Sequence, residues 1–127
     1  MKTYDQISIG DKAEVEKTVT ETDVYLFAGI TGDLNPAHIN ERASKDTMFG
    51  GRIAHGMLSA GFISAVLGMQ LPGPGTIYLS QSLKFKAPVK IGDTVRAEAT
   101  VVEKLEKGRV RPVSYTHLRA HETDQYL

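Results

Sequence analysis

Residues 56–71, GMLSAGFISAVLGMQL, run for sixteen positions without a charged side chain. A helix built from them is apolar on nearly every side, and a helix of that kind is buried rather than laid on a surface. It would be about 24 Å long, too short to cross a bilayer. Pro-Gly-Pro-Gly at 72–75 ends it, because proline cannot continue a helix and glycine opens a turn. The 127 residues suffice for one domain with one modest core, so the remainder of the chain must wrap this helix.

The flanking segments have the right pattern to do so. In TIYLSQSLKFKAP, Ile77, Leu79, Leu83 and Phe85 share one parity, while Tyr78, Ser80, Ser82, Lys84 and Lys86 share the other. Such alternation predicts a half-buried strand. KIGD at 90–93 reads as a turn, and TVRAEATVVEKLE repeats the alternation with Val95, Ala97, Ala99 and Val101 inward. Near the N-terminus, Ala13, Val15 and Val19 lie on one face of a further strand. Thr20 is placed to cap a helix, with Asp23 three residues later favourable in its first turn. That helix runs through VYLFAGI and stops near Gly32. INERASKD reads as a short polar helix and FGGRIAHG as a loop. The sum is an α+β domain in which an antiparallel sheet wraps a central apolar helix.

Composition narrows the function. Lys and Arg number 15, as do Asp and Glu, which leaves no electrostatic case for nucleic acid or an anionic membrane. The absence of cysteine excludes disulfides and thiolate metal sites and fits the cytoplasm. MKTYDQISIGDKAEVEK contains no apolar stretch of the signal-peptide kind.

Asp33 and His38 stand five apart on GDLNPAHIN. A carboxylate and an imidazole can both move protons near neutral pH when their surroundings tune them, and Asn35-Pro36 supplies a stiff turn that could aim them at one point. The same spacing is compatible with a surface loop in which Asp33 caps and His38 is solvated. His55-Gly56-Met57 opens the apolar helix. Amides at a helix start are free donors with partial positive charge, and Gly56 would let an anionic oxygen approach them closely. His55 reads as a hydrogen-bonded structural histidine rather than a catalytic one. Ser64 reads as bonding back to a carbonyl one turn earlier. Lys84 and Lys86 read as solvated, with no glycine-rich phosphate loop nearby.

From Arg111 the pattern changes. RPVSYTHLRAHETDQYL shows little alternation, Pro112 argues against a strand, and a solvated end is expected. His117 and His121 are four apart, but no further metal ligands accompany them. VSYTHLRAHET resembles translated sequencing-adapter sequence, so residues 1–110 are expected to form the domain and 111–127 an atypical, functionless tail.

Three blocks carry a wider resemblance: YLFAGITGDLNPAHIN, GGRIAHGMLSAGFISAVLG and LPGPGTIYLSQSLKFKAPVKIGD. In this order they resemble the MaoC-like, (R)-specific enoyl-CoA hydratases of the hot-dog fold over roughly residues 5–110. The family's aromatic, small residue-Gly-Asp-x-Asn-Pro-x-His motif is met unbroken between Tyr25 and His38. The resemblance implies hydration of trans-2-enoyl-CoA to (R)-3-hydroxyacyl-CoA, with Asp33 and His38 as the catalytic pair and the Gly56 backbone polarising the thioester carbonyl. It implies that Asn35 supports the loop and that Phe27, Ser64 and Leu67 line the acyl pocket. Lys84 and Lys86 become candidate contacts for CoA, which is a substrate handle; no metal or redox cofactor is implied. A cytoplasmic homodimer is expected, in fatty acid or polyhydroxyalkanoate metabolism. Family members continue with two further strands where the tail stands, so the central helix would be partly uncovered and the 127-residue product poorly soluble. Two rivals remain at this level: a hot-dog acyl-CoA thioesterase, and a non-catalytic acyl-CoA-binding domain.

Overall fold

The structure, a computed structural model, describes residues 2–120 and 123–126, with side chains through Leu118. After a 3₁₀ turn at Tyr4–Gln6, the chain forms strand β1 (Lys12–Thr18), helix α1 (Glu21–Thr31) and two short helices, α2 (Pro36–Ile39) and α3 (Glu41–Lys45). Then come the long helix α4 (Gly56–Met69) and strands β2 (Thr94–Lys104), β3 (Val110–Ala120) and β4 (Thr123–Tyr126). The strands form one antiparallel sheet in the order β1-β2-β3-β4.

Helix α1 has the expected ends. The Asp23 N–H donates to Thr20 Oγ1 while the Thr20 N–H donates to Asp23 Oδ2, which satisfies two otherwise unpaired donors reciprocally. Gly32 closes the helix at φ 81°, a left-handed conformation that glycine adopts without a Cβ clash.

Strand β2 carries the core. Val95, Ala97, Ala99 and Val101 are all buried, as the alternation predicted. Ala97 and Ala99 are small, which leaves room for α4, and Ile63, Val66 and Leu67 fill that space. Val19, Val24, Ala54, Val89 and Leu118 close a second cluster around Val95. At the 90–93 turn, buried Asp93 accepts from the Lys90 N–H at 2.9 Å, in agreement with the sequence.

Three expectations are corrected. First, residues 76–86 form no strand, and Ile77 and Leu79 are 80% and 69% exposed. A strand requires a neighbour's amides and carbonyls as well as alternation, and no ladder reaches this segment among the described residues. Second, α4 is not buried all round, as its own pattern suggested, but partly uncovered, as the resemblance implied. Ser59, Ile63, Val66 and Leu67 are buried, whereas Met57, Gly61, Ser64, Ala65 and Met69 form an exposed stripe. One sheet can cover only one side of a helix.

Third, the chain beyond Arg111 is not a solvated end. β3 pairs with β2 from Val110 to Arg119, and Leu118 is 2% exposed against Val95. Pro112 is tolerated opposite Val101, beside a bulge where the register shifts. His117 lies 3.3 Å from Glu98 across the ladder. His121, its partner in the i, i+4 pair, lies outside the described residues.

Candidate active site

The loop after α1 is built by its own side chains. The Asn35 N–H donates to Asp33 Oδ1 at 3.2 Å, and the Asp33 N–H donates to Thr31 Oγ1. Asn35 then caps α2, its Oδ1 accepting from the Ala37 N–H at 3.0 Å. Pro36 occupies the first turn of α2, where its missing N–H costs nothing and its fixed φ suits the helix. Its ring also favours extended backbone at the preceding residue, and Asn35 has ψ 130°. The sequence showed a stiff turn here; the structure adds that it is one helical turn, which delivers His38 to the same side as Asp33.

Two backbone carbonyls orient the rings. His38 Nδ1 lies 2.7 Å from the Ile53 oxygen, and His55 Nε2 lies 3.0 Å from the Asp33 oxygen. A carbonyl oxygen only accepts, so each of these nitrogens bears hydrogen. In the neutral rings the lone pair is therefore on Nε2 of His38 and on Nδ1 of His55. The rings stack at 3.8 Å between centroids and 26° between planes. Phe27 meets the His55 ring at 4.8 Å.

One nitrogen of each histidine and one carboxylate oxygen of Asp33 lie within 4.8 Å of one another. This trio could be considered for a metal ion. However, nearly parallel stacked rings project their in-plane lone pairs side by side, not at a common point about 2 Å from both. The arrangement suits hydrogen bonding and proton transfer better than ligation.

A cleft of about 210 Å³ opens over these groups, lined by Phe27, Thr31, Asp33, His38, His55, Gly56 and Met57. Gly56 is the first residue of α4, where amides have no carbonyl one turn earlier to bond. The structure thus gathers Asp33, His38, Gly56 and Phe27 at one cleft, with Asn35 shaping its loop. Ser64 is on the exposed stripe of α4, and Lys84 and Lys86 are exposed on the 76–86 segment; none of the three lines the cleft. Leu67 is buried and lines a separate, larger groove of about 1000 Å³ between that segment and β3.

The scaffold around the cleft is clamped by Arg52. Its Nη2 meets Glu21 and its Nε meets Glu41, each at 2.8 Å, while Nη1 donates to the Tyr25 hydroxyl at 2.8 Å. The guanidinium thereby ties α1 to α3 on either side of the loop that carries Asp33. Hydrogen bonds from Arg52 and Tyr25 hold the Glu21 carboxyl below the usual glutamate range.

With this geometry in place, comparison with known proteins is direct. The family model described as "MaoC like domain" matches residues 6–123. The chain belongs to the MaoC-like domain family. It is 63% identical over 98 residues to the (R)-specific enoyl-CoA hydratase of Rhodospirillum rubrum, covering 77% of this chain and 68% of that protein. It is 47% identical over 106 residues to the 3-hydroxybutyryl-CoA dehydratase of Methylorubrum extorquens, covering 84% and 68%. Among solved structures, the unliganded R-hydratase PhaJ1 of Pseudomonas aeruginosa superposes with TM-score 0.90 at 45% identity, covering 97% of this chain and 79% of that one. The (R)-hydratase from A. caviae involved in PHA biosynthesis superposes with TM-score 0.77 at 41% identity, covering 89% and 83%. The hot-dog architecture expected from the sequence is therefore the fold of this MaoC-like chain.

Two residues beside the cleft make contacts that the sequence pattern did not show. Phe85 was expected to point into the core from a strand. Instead it is 61% exposed and lies across the start of α4, so close that a Cβ on Gly56 would sit 2.9 Å from two of its ring carbons. His55 was read as a hydrogen-bonded structural residue, which it is, but the backbone it bonds is that of Asp33. Neither contact has a local signal, since both join residues distant in sequence.

Proposed function

We propose that this MaoC-like domain adds water to trans-2-enoyl-CoA to give (R)-3-hydroxyacyl-CoA, and catalyses the reverse dehydration. The observation that carries this reading is the convergence of the Asp33 carboxylate with the His38 ring within 4.8 Å, at a cleft that ends on Gly56. The names of the R. rubrum and M. extorquens relatives describe the two directions of this chemistry.

The geometry supports a definite sequence of events. A water in the cleft is held by the Asp33 carboxylate and the His38 imidazole. Since His38 Nδ1–H is committed to Ile53, Nε2 is the nitrogen that can take a proton. As the water oxygen bonds to C3, the C2–C3 π pair shifts toward the thioester carbonyl and its oxygen becomes negative. The Gly56 N–H and the positive end of α4 face that oxygen and need no reorganisation to stabilise it. C2 then takes a proton through Asp33, and the pair, which titrates as a unit, returns to its starting state. A water held on one side of the cleft adds to one face of the alkene, which accords with a single-enantiomer product. Neither a metal nor a redox cofactor is needed for this step.

Substrate placement follows. Phe27 and Met57 line the cleft next to the pair and would meet the acyl chain first. Lys84 and Lys86 flank Phe85, whose ring touches the start of α4; they lie outside the cleft lining and are the candidate contacts for the CoA phosphates. A homodimer in the cytoplasm is proposed for the chain as for the family, and a second copy is one way to cover exposed Ile77 and Leu79. No helix among the described residues is long and apolar enough to cross a membrane.

The test follows loss of the conjugated double bond of crotonyl-CoA, with resolution of the product enantiomer. Appearance of (R)-3-hydroxybutyryl-CoA is expected. Release of free thiol without hydration would establish the thioesterase instead, and binding without turnover would establish the acyl-CoA-binding domain.

A further inference from the structure

We propose that His55 is a positioning residue for the Asp33–His38 pair, acting through the hydrogen bond from its Nε2–H to the Asp33 backbone carbonyl. The proposal rests on the hydratase reading above. His55 is 3% exposed, whereas Asp33 is exposed and His38 is half-buried, so the two reacting groups stand toward solvent and the group behind them is buried. That one ring touches every part of the site. Its Nε2–H bonds the peptide that bears the carboxylate, its face stacks on His38, its edge meets Phe27, and its own backbone leads directly into Gly56.

Phenylalanine would stack on His38 as well as histidine does, and without the cost of burying polar nitrogens. Yet histidine is present, with Nδ1 buried and without a hydrogen-bond partner among the described residues. Burying a polar ring is costly, and the bond from Nε2–H to the Asp33 oxygen at 3.0 Å is the interaction that offsets that cost. The bond to the Asp33 carbonyl sets where that loop residue stands relative to His38. The other Asp33 bonds among the described residues are local ones, to Thr31 at the end of α1 and to Asn35 two positions on. Proton transfer is steep in distance, so releasing Asp33 by a fraction of an ångström lowers turnover while leaving substrate binding nearly untouched.

The experiment compares His55→Phe, which keeps a stacking ring and removes the donor, with His55→Gln, whose amide N–H reaches roughly as far as Nε2–H. Steady-state hydration of crotonyl-CoA is measured for each. We expect His55→Phe to lower kcat by about ten- to a hundredfold with KM little changed, and His55→Gln to recover to within about threefold of the parent. Unchanged kcat in His55→Phe overturns the proposal, as does a His55→Gln variant as impaired as His55→Phe. Should a variant fail to fold, imidazole ¹⁵N spectra of the parent protein decide: His55 protonated at Nε2 and bare at Nδ1 is expected, and the opposite tautomer overturns the proposal. Asp33→Asn and His38→Ala are run alongside. If hydration survives both, the hydratase site itself is wrong; if both abolish it while the His55 series shows no split, only the positioning role is lost.

Discussion

His38 Nδ1 stands 2.7 Å from the Ile53 carbonyl oxygen, and this bond decides which nitrogen of the ring can act as a base. Ile53 itself is held in place, since its N–H donates to Ala37 O at 3.1 Å and it forms an isolated bridge with Lys90. The loop carrying Asp33 and His38 is thus stitched to the strand-like run that enters α4, and the lone pair of a neutral His38 ring is left on Nε2.

Removing either member of the pair should therefore strike turnover far more than folding. Asp33→Asn keeps the size of the side chain and an oxygen for the Asn35 N–H but cannot exchange a proton. We expect kcat for crotonyl-CoA hydration to fall by about 10² to 10⁴-fold for Asp33→Asn and for His38→Ala, the range typical of a positioned acid–base group. Thermal transitions within a few degrees of the parent would accompany this. Retained turnover in both would remove the acid–base assignment.

Gly56 is constrained by Phe85 as well as by its amide. A Cβ at position 56 would meet the ring at 2.9 Å, so Gly56→Ala should displace Phe85; the ring is 61% exposed and can swing aside, so the cost should stay near or below about 1 kcal/mol, under the range of overpacked cores. Removing the ring first should relieve this. A double-mutant cycle with Phe85→Ala, read by chemical denaturation, should show Gly56→Ala costing clearly less in the second background. Equal costs in both backgrounds would mean that the ring does not rest on Gly56 in solution.

Acid should loosen the N-terminus of α1. Glu21 is held low by its hydrogen bond from Arg52. For Asp23, burial pushes the carboxyl up, but the Thr20 N–H and the Lys17 ammonium at 2.9 Å pull it down further. Both folded-state values lie below the ordinary 4.5 and 3.8. Their contribution is thus complete above those ordinary values and is lost as pH falls through the lowered ones. The denaturation midpoint should hold from about pH 7 to about pH 5 and fall below about pH 4. Replacing Glu21 by Gln together with Asp23 by Asn should flatten that fall.

What the sequence disclosed divides by range. The caps of α1 involve Thr20, Asp23 and Gly32, each within a turn of the helix end they serve, so residue type and spacing were enough. β2 was legible because four small or branched side chains alternate on a face that is wholly buried. Residues 76–86 alternate equally well, yet whether they join a ladder depends on a neighbour that their own pattern does not contain. The active-site loop was legible as Asp-x-Asn-Pro-x-His, but the ring behind it was not. His55 reaches Asp33 across 22 positions, a contact that only the folded path of the chain creates.

β3 offers the sharpest test of that division, because composition argued for a loose end and the structure places a strand there. Leu118 packs with Val95, Val19 and Val24 in the cluster beside α4. If β3 is integral to the fold, Leu118→Ala should leave a cavity and cost about 2–5 kcal/mol by chemical denaturation, as buried leucines do. Ile30→Ala is the control: its side chain on α1 is 82% exposed, so its cost should stay within about 0.5 kcal/mol. Equal and negligible effects at both positions would show that residues beyond 110 are not packed on the helix in solution, and the core would then rest on β1 and β2 alone.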